Sequence, residues 1–196
     1  MKNELKRMYA NGRRGVEPSL SMDGLLKAVT MKLITVEDAI EITGEEDSLP
    51  IIKAAKLKEI SDACNKVIVA GIDLELSEGI VHFNLKTEDQ SNIANLFRVV
   101  ELGGTEFPYQ ADGGICRIYT AAEIVQIYVA AQTLITTQTT YHNSLKSYVQ
   151  SMTTAEEIAT VVYGMELPEP YLTEMNEKLA VAQAQMEAIL AKMNNA

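Results

Sequence analysis

A chain of 196 residues with 47% hydrophobic and 22% charged residues can bury a core as one domain or two small ones, which excludes a mostly disordered polymer. Its formal net charge of -10 argues against a nucleic-acid binder, because phosphate contacts need clustered Lys and Arg. Cys64 and Cys116 are too few for a disulfide framework and fit a reducing cytoplasm; no apolar run nears the roughly 20 residues that cross a bilayer, and no apolar signal core follows the basic start.

Charge is placed unevenly at the N-terminal end. Lys2, Lys6, Arg7, Arg13 and Arg14 stand against Glu4 alone, whereas Glu37, Asp38, Glu41, Glu45, Glu46 and Asp47 form an acidic block without a basic residue. Two readings fit: a docking arm with its acceptor, or two solvated faces, the commoner fate of charge runs. Between them, Leu25, Leu26, Val29 and Leu33 give one apolar helix face behind a Ser21 N-cap. Thr35 and Asp38 have capping-box spacing for a second short helix, and Gly44 stands where a C-cap glycine belongs. Glu45 to Pro50 reads as a linker. A third helix is expected over 51–70, with Ala54, Leu57, Ile60, Ala63 and Cys64 on one side and Gly71 as its stop.

The period then changes from helical to alternating. Ile72, Leu74 and Leu76, then Val81, Phe83 and Leu85, alternate with polar residues about Glu78-Gly79, which predicts a half-buried hairpin. Thr87-Glu88-Asp89-Gln90 opens a helix carrying Ile93, Leu96, Phe97 and Val100, with Thr87 as cap and Gln90 reaching back. Phe107-Pro108-Tyr109 and Ile115 to Tyr119 flank Asp112-Gly113-Gly114, a second hairpin whose Pro108 belongs to an edge. Thr120 caps a helix of about 30 residues with a stripe from Ile124 to Val149. A capping box at Thr154 and Glu157 begins a short helix ending at Gly164, and Leu167-Pro168-Glu169-Pro170 is a stiff connector. In the last segment Leu172, Met175, Leu179, Ala182, Met186, Ile189 and Met193 follow spacings of 3, 4, 3, 4, 3 and 4, an a/d seam without Gly or Pro. So short a seam needs a partner helix, either the long helix of its own chain or another copy. The expected fold is α+β, mostly helical, with two short hairpins, one long helix and a C-terminal coiled-coil-like helix. Its segments are 1–47, 48–166 and 167–196.

Catalytic chemistry finds little support. His82 falls on the polar face of the first hairpin and is expected to face solvent, and His142 on the long helix near Tyr141 reads as a packed or interfacial residue, so neither is expected to serve a nucleophile as base. C-x-x-C, H-E-x-x-H and EF-hand spacings are missing, and the paired glycines lack a following Lys-Ser or Lys-Thr. Asp112 is accounted for by turn chemistry. No catalytic residue, cofactor or metal is expected. The candidate interaction residues are Leu172, Met175, Leu179, Met186, Ile189 and Met193, and the expected partners are other proteins or a homo-oligomer, without nucleic acid or membrane.

Two stretches carry a resemblance. Leu33-Ile34-Thr35-Val36-Glu37-Asp38-Ala39-Ile40-Glu41-Ile42-Thr43-Gly44-Glu45 resembles the I-T-x-E-(D/E)-x-x-E-I-T-G-E end of XkdX-like proteins of phage tail modules, although Asn11 to Gly15 stands where that family commonly has an aromatic-rich segment. From about Lys53 to Tyr171, Val81-His82-Phe83-Asn84-Leu85, Thr87 to Ile93, Phe107-Pro108-Tyr109, Asp112-Gly113 and Tyr141 to Lys146 are similar to an uncharacterised tail-fibre-associated domain. The resemblance implies a non-enzymatic part of a bacteriophage or phage-like tail tip or baseplate that attaches or joins receptor-binding fibres, made in the host cytoplasm and carried in the virion tail. A tail-fibre assembly chaperone absent from the mature particle is the alternative.

Overall fold

A computed structural model describes residues 2–44 and 47–194, the last two of these by their backbone only. The fold is α+β and mostly helical: α1 (Lys2–Gly12), α2 (Met22–Thr30), α3 (Val36–Thr43), α4 (Leu49–Ala70), hairpin β1 (Ile72–Leu76) and β2 (Gly79–Phe83), α5 (Thr87–Glu101), hairpin β3 (Glu106–Gln110) and β4 (Cys116–Thr120), α6 (Ala121–Ser151), α7 (Ala155–Ala159) and α8 (Tyr171–Asn194). Two compact units are formed, 1–61 with 146–165 and 62–145 with 166–196. Connectors define the sequence segments 1–47, 48–166 and 167–196, whereas packing groups residues by shared core, and α4 and α6 each contribute to both units.

In the first unit, local signals set the helix ends. The Ser21 hydroxyl accepts from the Gly24 N–H, and Thr35 and Asp38 form the reciprocal capping box that their spacing predicts. These helices bury Leu25, Ala39 and Ile42 together with Tyr9 of α1 and Ile51 of α4. The basic arm is itself a helix, and its charges meet the acidic block within the same chain. Lys2 Nζ lies 3.1 Å from Asp38 and 2.7 Å from Glu41, and Arg13 lies 3.0 Å from Asp47. Hydrogen bonding, to Glu41 first and then to Asp38, raises the Lys2 pKa. Glu45 and Glu46, the middle of that block, lie outside the described residues. Elsewhere in this unit, α4 begins at Leu49 inside the expected linker, and α7 ends at Ala159, before Gly164.

In the second unit, both hairpins are antiparallel, with Leu74 opposite Val81 and Phe107 opposite Tyr119. Gly71 leaves α4 at φ +84°, and a Cβ there would collide with the Phe83 carbonyl, so α4 can turn this tightly into β1 only at a glycine. The start of α5 differs from expectation. Lys86 is the cap residue, its N–H held by the Asp89 carboxylate at 3.1 Å, while Gln90 reaches the Leu85 carbonyl at 2.8 Å. Asp89 supplies a charged acceptor for the Lys86 N–H while Gln90 donates, so the cap lies one residue ahead of Thr87. Ile93, Phe97 and Val100 are buried as their spacing predicts, and Phe97 stacks on Tyr128 of α6 with centroids 3.9 Å apart.

Candidate interaction surface

The hairpin end of the second unit is closed by a polar tie. Glu123, in the first turn of α6, is buried. It accepts hydrogen bonds from the Ser77 hydroxyl at 2.7 Å, the Thr120 N–H at 2.9 Å and Arg117 Nη2 at 3.3 Å. The Glu123 N–H donates to Thr120 Oγ1 at 3.3 Å, completing a capping box. Burial alone pushes this carboxyl up, but the Thr120 and Ser77 hydrogen bonds with the Arg117 charge outweigh it and bring the pKa down to about 2. Arg117 lies 3.8 Å above the Tyr119 ring and 3.6 Å from Glu78, so one guanidinium joins strand, turn and helix. Sequence reasoning found Thr120 as a cap but missed Glu123, although Thr120-Ala121-Ala122-Glu123 has capping-box spacing.

The far side of α6 is open. Along α8, Leu172, Met175, Leu179, Met186 and Ile189 are all half-buried, as is Ala182, and none reaches full burial; the Met193 side chain lies outside the described residues. Beside this stripe, Val129, Thr133 and Thr136 of α6 face Leu179, Ala182, Met186 and Leu190 across a groove of about 360 Å³. Leu179 and Met186 of the candidate residues thus line the groove, while Leu172, Met175 and Ile189 do not. Leu190, outside the a/d spacing, does line it, because a helix of 3.6 residues per turn presents a stripe wider than the a/d seam. The wall from α6 is unusual in charge. Between Glu123 and Lys146 it holds no Asp, Glu, Lys or Arg. Loss of charge at the centre of a surface patch is a compositional mark of protein interfaces.

The residues weighed for chemistry lie apart from this groove. His82 Nδ1 faces Asp73 Oδ1 at 2.8 Å across the hairpin, and Nε2 faces Asn84 at 3.3 Å. The Asp73 hydrogen bond raises its pKa, with Asn84 and Asp112 adding to the effect, so the imidazole is held by oxygens on both sides. Asp112 donates its N–H to the His82 carbonyl at 3.2 Å and, with Asn84, Asp89 and Tyr109, lines a polar hollow of about 180 Å³. His142 is half-buried on α6. Cys64 is buried and Cys116 exposed, both as free thiols. Among the described residues no three His, Cys, Asp or Glu converge to hold a metal ion, and no helix is long and apolar enough to cross a membrane.

Residues 51–162 match the family model described as "Domain of unknown function (DUF4376)". The chain belongs to this family. No curated protein and no solved structure shows a match to it. The DUF4376 segment starts within α4, holds both hairpins and all of α6, and ends beyond α7, so it contains the polar tie and one wall of the groove. The other wall, α8, comes from outside the family segment.

Proposed function

We propose that this chain is a non-enzymatic adaptor of a bacteriophage or phage-like tail tip or baseplate, attaching or joining receptor-binding fibres. The observation that carries the reading is the α6–α8 groove, where the uncharged stretch of α6 between Glu123 and Lys146 faces an apolar stripe that its own chain leaves half-buried. Surfaces of this kind serve association, because apolar area left in water is recovered when a partner covers it. The tail setting is supported by the resemblance of residues 33–45 to XkdX-like proteins; within it, the described residues Thr35 to Gly44 form a helix with a capping box and a glycine C-cap. Tail organelles are symmetric, and there a weak contact repeated by symmetry holds strongly. Mass spectrometry of purified particles is the test. The adaptor is expected at fixed stoichiometry to the fibre, and its absence from mature particles would remove this reading.

A second reading rests on Met175 and Met186 of the same stripe. Methionine adapts to irregular partners, which suits a tail-fibre assembly chaperone that covers apolar patches and then leaves. Co-expression separates the two: a chaperone raises the soluble yield of the fibre and is missing from the particle, whereas an adaptor stays.

A further inference from the structure

The groove is one-sided in a way that indicates its occupant. A foreign acidic or basic partner would be met by complementary charge, but α6 offers none from Ile124 to Leu145. On α8, Glu174, Glu177 and Glu187 are nearly balanced by Lys178 and Lys192; of these only Glu187 lines the groove, where it accepts a hydrogen bond from the Gln183 amide at 2.9 Å. A second copy also carries -10, so a face with little charge of its own is where two copies repel least, and the groove, with Glu187 as its one charged lining residue, is such a face. Shape agrees. Ala182 leaves a gap between Leu179 and Met186, and the short Thr133 and Thr136 side chains form the opposite wall. A ridge of Leu and Met at 3–4 spacing fits such a gap as knobs fit holes, and α8 carries that ridge. The area fits a modest contact. The half-buried stripe from Leu172 to Ile189 is roughly 26 Å long at helical rise, and a two-helix face is roughly 20 Å wide, so each copy would cover on the order of 500 Å². That is the small end of specific interfaces, whose standard size is roughly 800 Å² per partner, so the dimer is expected to depend on concentration.

We infer that the α6–α8 groove receives α8 of a second copy of this chain, in a two-fold arrangement where each copy fills the groove of the other. This deepens the adaptor reading by naming the partner of its surface. Each contact is then made twice, and the half-buried stripe becomes a shared core.

Sedimentation velocity of the purified full chain over a concentration series tests the inference. The expected species has twice the 21.6 kDa of one chain. T133E together with T137E places acid on two exposed groove positions and should weaken the dimer at least tenfold. V181E together with A184E adds the same charge on the exposed outer face of α8 and should leave the dimer as it was. Since none of these four side chains is buried, each variant keeps its fold, which circular dichroism verifies. A chain that stays monomeric at the highest concentration overturns the inference, as does a groove variant that dimerises as tightly as the outer-face variant. The purified chain alone is measured, so a monomer removes the second-copy occupant and leaves the adaptor reading to the composition of particles.

Discussion

The helices α2 and α8 both carry apolar residues at helical spacing, yet only one of them finds cover. In α2, Leu25 is 0% exposed within a cluster that reaches from Tyr9 to Ile51. In α8 the longest a/d stripe of the chain has no buried side chain among the described residues. Charge differs in parallel. The basic helix α1 is matched with acids of the α3 region inside the chain, whereas α6 beside α8 carries no Asp, Glu, Lys or Arg from Ile124 to Leu145. Periodicity alone therefore marks a face that wants cover, and it does not say whether the cover lies in the same chain. Burial and charge narrow that answer: a face already closed belongs to the fold, and a neutral face left half-open has the composition of an interface.

The largest effect should come from deleting a side chain on the closed side. Leu25→Ala leaves a cavity in a fully covered site and should cost about 2–5 kcal/mol in urea unfolding. Leu179→Ala, on the half-buried stripe, should cost clearly less when the protein is dilute, and a loss equal to that of Leu25→Ala would erase the distinction.

Next in size is Glu123→Gln, which removes the charge from the buried tie and should cost about 2 kcal/mol near neutral pH. The pH dependence follows from the direction of the shift. The carboxyl titrates at about 2 in the fold against an ordinary 4.5, so its contribution is complete above about 4.5 and fades as pH falls toward 2. The Gln variant should therefore lose less stability than the parent between those two values. Identical acid limbs would contradict the role given to Glu123.

Smallest is Thr35→Ala, which removes one capping oxygen from α3 and should cost about 1 kcal/mol, with α8 unchanged by hydrogen exchange.

Local chemistry made most of the elements legible in sequence. Caps at Ser21, Thr35, Thr120 and Thr154, the Gly71 stop and the two alternating runs all act over three or four residues, where spacing is informative. What escaped depends on distance along the chain. The Glu123 tie needs Ser77 and Arg117 from two different hairpins, and the ion pairs of Lys2 need residues from α3. The start of α5 escaped for another reason: Thr87 and Asp89 both suit a helix end, and competition between two local acceptors decided it. The groove was half legible. Its α8 wall follows from the seam, while the α6 wall of Val129, Thr133 and Thr136 lies off the apolar stripe that the sequence reveals.

Hydrogen–deuterium exchange of the intact protein at several concentrations tests the central claim most directly. If α8 is completed by a second copy, its amides should gain protection as concentration rises, together with those of α6 from about Val129 to Thr137, while the amides of α2 and of both hairpins stay constant. Exchange in α8 that is independent of concentration across that range would contradict the account.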